Sequence, residues 1–333
     1  MSGRAQAGGF TLIELMISMM LGLVVIGGAM GVILANRQSY RTNEGLSQVQ
    51  ESARTAFELM ARDIRQAGVT GCDSTGKIAN TLRPQALWWQ DWFGLRGYES
   101  TMTDPAAGFG STAPNNRISG TDSIVTQGVE GAGMSVAEHL PGSNSIKLNA
   151  ASTNIALGDI LMVCDFDHAA IFQVSTYTDA TVTLLHAVSS SPAPGNCTSG
   201  LGYPSSTSCN GTGTSYGYAR NSQIARMSAT DWYVGDNQRA NEGGRSLYRR
   251  RMNATTPEEI VVGVTDMQIQ YREAGNTNFV DAATGLNWTN INAVRVTLTI
   301  RSADQRITTN TNVNSGRLER QFTNVITLRN RVP

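Results

Sequence analysis

The chain has 333 residues, of which 40% are hydrophobic, enough for a sizeable core in one or two domains. Its 26 basic and 26 acidic residues balance to a formal net charge of zero. This balance excludes the strong overall field that would favour nucleic acid or a highly acidic partner.

A long apolar run dominates the start of the chain. Between Phe10 and Ala35, Glu14 is the one charged residue, and proline is absent. As a helix, this run would span about 39 Å, more than the ~30 Å hydrocarbon core of a bilayer. A charged group at that depth costs about 2.5–3.5 kcal/mol, so the position of Glu14 requires a functional explanation.

Composition leaves more than one interpretation of this run open. A cleaved secretory signal would be apolar, but the run is long for that purpose, and no Ala-x-Ala-like site precedes Asn36 and Arg37. An ordinary single-pass anchor explains the length and leaves Glu14 unexplained. A third interpretation comes from a resemblance.

The segment Gly9-Phe10-Thr11-Leu12-Ile13-Glu14-Leu15, after a polar leader with Arg4, resembles the class III signal of type IV pilins and type II secretion pseudopilins. The resemblance implies that a prepilin peptidase and N-methyltransferase cuts between Gly9 and Phe10 and methylates the new Phe10 amine. It also implies that Glu14 pairs with the terminal amine of a neighbouring subunit during assembly. A buried carboxylate is tolerated where a cation meets it.

The hydrophobic pattern predicts that the helix continues beyond the apolar run. A narrow apolar stripe recurs at steps of three and four residues from Leu46 to Ala67, and Gly68 is a natural stop. Together with the resemblance, which implies the leader and the periplasmic head, this pattern leads us to expect a leader over residues 1–9, a membrane and assembly helix over 10–35, its amphipathic continuation over 36–67, and a periplasmic β-rich head over 68–333.

Small residues interrupt the apolar half of the predicted helix. Gly27 and Gly31 form a G-x-x-x-G pair, which is compatible with close backbone contact or with looser packing in a membrane. Major pilins usually carry a proline in this segment. Its absence here makes a bulk filament subunit the less favoured assignment.

The rest of the chain divides into an irregular part and a strand-rich part. Residues 69–122 show no regular period, and their aromatic cluster (Trp88, Trp89, Trp92, Phe93, Tyr98 and Phe109) is interpreted as a satellite core rather than a contact surface or carbohydrate platform. Short strands are expected at 123–127, 145–148, 159–164, 170–175, 181–186, 246–251, 267–271, 294–300 and 325–329. Clean alternation near the C-terminus is typical of antiparallel sheets buried on one face. The expected fold class is α+β, with the long helix packed on an antiparallel sheet.

Four cysteines in a chain that exports its bulk indicate disulfides. Cys197 and Cys209 bracket a Ser/Gly/Pro-rich segment, so we expect them to pair, which leaves Cys72 for Cys164. Other pairings and a zinc site remain alternatives, although the C-x₂₋₄-C spacing of zinc ligands is absent.

Few residue patterns point to chemistry. Cys164-Asp165-Phe166-Asp167-His168 could hold a metal, but a polar turn between strands is the favoured interpretation. The basic run Arg249-Arg250-Arg251 could contact phosphate, but an exposed strand edge is favoured, so DNA binding is not expected. We expect no enzymatic activity, no catalytic residue, no cofactor and no metal.

The whole-chain pattern resembles the PilW-type minor pilins, most clearly at residues 159–165, 246–251 and 325–331. The resemblance implies a structural subunit that primes type IV pilus assembly, within a tip or initiating complex. Expected partners are other minor and major pilins, the inner-membrane pilus assembly machinery and membrane lipid. The expected location is the inner membrane, with a periplasmic head, and afterwards the pilus. A type II secretion minor pseudopilin and a pilus-mounted adhesin are the alternatives.

Overall fold

The computed structural model describes residues 11–72, 76–110, 116–152, 155–206, 208–209, 211–283, 285–308 and 313–331. A single long helix, α1 (Leu12–Arg65), is followed by strands throughout these ranges. The strands are β1 (Ile78–Asn80), β2 (Leu95–Tyr98), β3 (Ser123–Leu140), β4 (Ser145–Leu148), β5 (Ile160–Cys164), β6 (Ala169–Gln173), β7 (Thr176–Thr178), β8 (Thr183–Leu185), β9 (Gln223–Asp236), β10 (Arg245–Arg251), β11 (Glu258–Val262), β12 (Val264–Glu273), β13 (Val280–Asp281), β14 (Ile291–Arg301) and β15 (Glu319–Thr327). Short 3₁₀ turns occupy Pro141–Ser143, Ala240–Glu242, Trp288–Asn290, Asn314–Gly316 and Arg329–Arg331.

Helix α1 contains 54 residues and is therefore about 81 Å long. It ends at Arg65, and the chain turns through Gly68, whose positive φ of 77° suits a residue without a Cβ. The amide of Gly68 donates a 2.7 Å hydrogen bond to the carbonyl of Gln127 in β3. The end of the helix is thus fixed directly to the head.

The head contains two sheets. The larger sheet has eleven strands, with β9 between β5 and β3 near its centre, and β10 and β11 joined to it through β9. Its pairings are antiparallel except for β1 with β6. The smaller sheet has the order β13-β12-β14-β15 and is antiparallel throughout.

The second half of α1 covers the inner face of the smaller sheet. Inward-facing side chains of β12 and β14, among them Ile269 and Val296, are buried with the helix residues Met60 and Ile64 in one core. Trp232 and Val234 of β9 complete this core from the larger sheet. Each buried side chain of this size contributes about 1.5–3 kcal/mol, so the core fixes the helix on the head.

A buried polar joint connects the two sheets beneath the helix. The Asp122 amide donates to the carbonyl of Met267 at 2.8 Å, and its carboxylate accepts from the Ile269 amide at 2.7 Å. Burial raises the pKa of Asp122 to about 7. Next to it, the fully buried guanidinium of Arg117 donates to backbone carbonyls, including that of Thr121.

The structure confirms the predicted fold class, a long helix on an antiparallel β head. In the predicted apolar stripe, Leu46 is half-buried, and the six other members are buried: Val49, Ala53, Phe57, Met60, Ile64 and Ala67. Several regions differ from the prediction. Strands β1 and β2 lie in the part expected to be irregular, and the 14-residue strand β9 was not predicted, nor were the short strands β7, β11 and β13. Strand β3 continues to Leu140 instead of ending at 127, and β15 begins at Glu319 instead of 325. Strand β9 lacks alternation because its second half, near the centre of the sheet, is buried on both faces.

Candidate assembly site

The first turn of α1 is closed by a capping box. Thr11 is the N-cap, and its hydroxyl accepts from the Glu14 amide at 3.3 Å. The Glu14 carboxylate in turn accepts from the backbone amide and the hydroxyl of Thr11, both at 3.0 Å. The sequence pattern Thr-x-x-Glu is typical of a capping box, but the capping box was not among the predictions from sequence. Glu14 therefore has a local structural role as well as the predicted one.

The hydrogen bonds of Glu14 leave it able to accept more. Both donors from Thr11 reach the same oxygen, Oε2, and the other oxygen accepts no hydrogen bond from the described part of the chain. An ionised carboxyl group can accept about four hydrogen bonds. The predicted cleavage residues Gly9 and Phe10 lie outside the described residues.

The first half of α1 has no cover from the head. Its apolar side chains are exposed, from Leu12 at 78% through Leu23 at 76% to Leu34 at 65%. An 18-residue window of this helix has a mean hydropathy of 2.4 and none of its residues is buried. By length and composition, the helix is able to cross a membrane.

No steric contact within the described chain requires glycine at the glycine positions of this half. A Cβ added at Gly22, Gly27, Gly28 or Gly31 would meet nothing within 4 Å outside the local helix backbone. Each glycine costs about 1 kcal/mol relative to alanine in a helix interior. A role for their small size therefore depends on contacts outside the chain, as in close helix packing.

The second half of α1 is held by polar contacts as well as by its apolar stripe. The Gln38 side-chain amide and the Thr42 hydroxyl donate to the carbonyl of Ile307, at 2.5 and 3.2 Å. Near the other end, the Trp232 indole donates to the Asp63 carboxylate at 3.0 Å. Burial raises the pKa of Asp63, and this hydrogen bond acts in the opposite direction.

Two disulfides hold loops of the head. Cys72 is bonded to Cys164, which ties the segment after α1 to the end of β5, over a sequence separation of 92 residues. Cys197 is bonded to Cys209 within the loop that follows β8. Both bonds are consistent with a head that folds in an oxidising compartment.

The predicted metal candidate forms a tight turn between β5 and β6. The Asp165 carboxylate accepts from the amides of Asp167 and His168, at 2.9 and 2.8 Å, and from the Tyr216 hydroxyl at 2.9 Å. Lys77 forms an ion pair with Asp167 at 2.7 Å. Across the residues that the structure describes, no group of three or more metal-ligating side chains is found.

The three histidines, far apart in the sequence, are linked by ring contacts, two of them through tyrosines and the third through His139. His168 stacks on Tyr216, Tyr216 contacts Tyr218, and Tyr218 stacks on His139, with ring centroids 4.0, 4.9 and 5.8 Å apart. Nε2 of His139 lies 3.3 Å from Nε2 of His186. Burial lowers the pKa of His139 to about 4 and that of His186 to about 3, so both are neutral at pH 7.

One sequence pattern that suggests catalysis passed unnoticed in the sequence reasoning. Residues 213–217 read Gly-Thr-Ser-Tyr-Gly, which matches G-x-S-x-G around Ser215. That motif activates serine only on a sharp turn between a strand and a helix. Here the described residues 211–222 form a loop, which β9 follows, and the catalytic arrangement is not formed.

The basic run on β10 does not form one cationic face. Arg249 is nearly buried, lies over the Trp232 ring and pairs with Glu258 at 2.7 Å. The Arg250 guanidinium donates to the carbonyl of Ala106. These contacts give two of the three arginines structural partners.

The aromatic cluster is divided between core and surface. Trp89 and Tyr98 are buried, whereas Trp88, Trp92 and Phe93 are only partly buried at the edges of the head cores. Phe109 lies under the Arg117 guanidinium, 4.8 Å from ring centroid to carbon. Most of the cluster thus serves as a satellite core.

Comparison with known proteins finds a family match at the start of the chain. Residues 4–30 match the family described as the prokaryotic N-terminal methylation motif. Among solved structures, the chain is similar to a type IV-like pilin from Thermus thermophilus, with 14% identity and a TM-score of 0.21, over 32% of this chain and 67% of that one. No curated protein matches the chain.

The motif match confirms the predicted class III prepilin signal. The matched motif lies at the start of the long helix, which leads into the β-rich head. A prepilin signal implies processing by a prepilin peptidase and assembly with other pilins and the pilus machinery. The uncovered apolar helix is consistent with membrane anchoring before that assembly.

Proposed function

We propose that this protein is a minor pilin of the PilW type, which primes assembly of a type IV pilus. The observation that carries the proposal is the uncovered first half of α1, with Glu14 at its start and a methylation motif around it. An exposed apolar helix of this length requires lipid or other helices as cover. Membrane lipid would cover it first, and the helices of other pilins would replace the lipid in the filament.

In the proposed mechanism, cleavage between Gly9 and Phe10 creates an amine next to the capping box. Thr11 then becomes the second residue of the mature chain. Glu14 retains its bonds to Thr11 and uses its remaining acceptor positions for the methylated Phe10 amine of a neighbouring subunit. In low dielectric, such a charge-assisted bond is strong, and an unpaired carboxylate would be costly.

A minor rather than a major role is supported by the sequence of the helix and by the head. The apolar half lacks the proline typical of major pilins. The head contains two sheets and two disulfides, which provide a large surface for specific contacts with other minor pilins. A type II secretion pseudopilin shares this arrangement, and the genes beside this one distinguish the two systems.

The test is intact mass and N-terminal sequencing of the protein from membranes and from sheared surface filaments. We expect a mature chain that begins at methylated Phe10 and occurs at trace level in filaments. A bulky residue at position 9, as in Gly9→Val, should leave the leader attached, whereas the neighbouring control Ala7→Val should be processed. An unprocessed chain confined to membranes would refute the proposal, and a bulk amount in filaments would refute the minor role.

A further inference from the structure

A groove of about 690 Å³ opens at the end of α1 that is farthest from the membrane half. We call it the distal groove. One wall is the segment Gly68 to Cys72, which directly follows the helix and is anchored through Cys72 to Cys164. The side chains that matter for binding are those of Asp91, Trp92, Phe93, Asn330 and Arg331. This volume is within the range of pockets for small ligands.

Arg331 is the most unusual group in this groove. Its Nη1 donates to the backbone carbonyls of Trp288 and Ile291, at 2.5 and 3.2 Å. Its Nη2 packs against two glycines, since a Cβ added at Gly94 or Gly68 would lie only 2.9 or 3.0 Å from that atom. The absence of side chains at these two positions makes room for the guanidinium.

The guanidinium of Arg331 has no counter-ion in the described part of the chain. The ion pairs of the head involve other arginines, and burial alone lowers the pKa of Arg331. A desolvated cation without a counter-ion is unfavourable, and an anion that reaches it gains a charge-assisted hydrogen bond. The groove therefore favours a ligand with a negative group.

The charges of the lining residues limit how many negative charges the ligand can carry. Arg331 is the one cation among the described lining residues, and the exposed Asp91 is the one carboxylate. A polyanion such as nucleic acid requires several cations along its path. A ligand with a single carboxylate fits this balance better than a phosphate chain.

The remaining lining groups suit a sugar ring. Trp92 and Phe93 are half-buried, so part of each ring is accessible, and Asn330 is exposed beside them. Aromatic rings provide flat apolar faces, while amide and carboxylate side chains bind hydroxyl groups and fix orientation. We propose that the distal groove binds an acidic saccharide, with its carboxylate on Arg331, its ring against Trp92 and its hydroxyls on Asp91 and Asn330.

The proposal is independent of the proposed pilus role and is tested by titration of the purified full-length chain in detergent. The probes are glucuronate, the neutral sugar glucose, and acetate, which carries the carboxylate without a ring. We expect glucuronate to bind with a dissociation constant of about 1 mM, at least about tenfold tighter than either other probe. Equal affinity for acetate would reduce the groove to a simple anion site and overturn the saccharide assignment. Equal affinity for glucose would overturn the role of Arg331.

Variants locate the binding in the groove. Arg331→Gln and Trp92→Ala should each weaken glucuronate binding by at least about tenfold. Phe166→Ala is the control, because this side chain is 84% exposed at the β5–β6 turn and does not line the groove. Since Arg331 also supports two carbonyls, the exposed Asn330→Ala provides a variant that leaves the fold intact and should weaken binding severalfold. Unchanged binding in Asn330→Ala and Trp92→Ala, or no binding by the wild type up to about 50 mM, would refute the site.

Discussion

The two halves of helix α1 have the same secondary structure and opposite relations to the rest of the molecule. In the first half, side chains such as Leu23 and Leu34 are exposed, at 76% and 65%. In the second half, Met60 and Ile64 are fully buried against both sheets. The comparison teaches that the cover of the second half is built into the chain, whereas the cover of the first half comes from outside it.

The two halves also differ in the hydrogen-bond partners of one carboxylate each, Glu14 in the first half and Asp63 in the second. Among the described residues, Glu14 is bonded only within its own turn, to Thr11, and keeps further acceptor positions. Asp63 is bonded across the molecule to the Trp232 indole and is partly desolvated. The first carboxylate is suited to a partner outside the chain, and the second fixes the helix on β9.

The largest effect is expected for Glu14→Ala, which removes the carboxylate from the uncovered half. The chain should remain in the membrane, but its recovery from sheared filaments should fall at least about tenfold, because a neighbouring amine loses its counter-charge in low dielectric. The matched control is Ser18→Ala, one turn further along, where a hydroxyl bonded to the Leu15 carbonyl is lost. Quantitative immunoblots of membranes and filaments make the comparison, and normal incorporation of Glu14→Ala would exclude the charge-pair role.

The second prediction applies one substitution to both halves. Ile64→Ala should lower the free energy of unfolding of the head by about 2–5 kcal/mol, because it leaves a cavity in the main core. Ile26→Ala, on the 59% exposed side chain of Ile26, should change it by less than about 0.5 kcal/mol. Urea unfolding in detergent, followed by tryptophan fluorescence, measures both. Similar losses for the two variants would show that the halves are not independent.

The third prediction concerns the hydrogen bond between the covered half and β9. Trp232→Phe should cost about 1–3 kcal/mol beyond its packing loss, because the half-buried Asp63 carboxylate loses its donor. Adding Asp63→Ala to this variant should cost little more, since the orphaned carboxylate is then removed. Chemical unfolding of Trp232→Phe, Asp63→Ala and the double variant measures the three losses in the free energy of unfolding. Strictly additive losses would argue against an energetic coupling between Trp232 and Asp63.

The smallest effect is expected for Asp63→Asn, and it depends on pH. Burial raises the pKa of Asp63, so the folded chain keeps this proton to a higher pH than the unfolded chain does. Its contribution to stability therefore falls as the pH rises from about 4 through the raised pKa. The amide oxygen of the variant would still accept from the Trp232 indole, and the amide does not titrate. The stability of the variant relative to wild type should rise slightly between pH 4 and pH 7, and a relative fall would contradict the assignment.

Local patterns were sufficient for the helix and for the two central strands of the smaller sheet. The apolar run, the stripe from Leu46 to Ala67 and the stop at Gly68 predicted α1 to within two residues at each end, as far as the structure describes it. The alternation around residues 267–271 and 294–300 predicted β12 and β14, whose inward residues are buried. These elements follow from the sequence because one face of each is covered and the other is not.

Several strands of the larger sheet, and the distal groove, were not accessible to such reasoning. Strand β9 is buried on both faces over its second half, so it carries no period, and β1 and β2 are too short to produce one. Arg331, which has no counter-ion among the described residues, is positioned by Gly68, Gly94 and two backbone carbonyls. These groups come from distant segments of the chain, so the sequence around Arg331 does not predict the site.

The sequence by itself therefore determined the prepilin signal, the long helix and the α+β class, because these depend on neighbouring residues and on simple periods. The tertiary structure alone decided which faces meet. It brought Trp232 to Asp63, placed His139 and His168 against Tyr218 and Tyr216, and opened a groove beside Arg331. Such contacts join residues far apart in the sequence, by 169 positions for Asp63 and Trp232 and by 269 for Gln38 and Ile307, and no local pattern encodes such pairs.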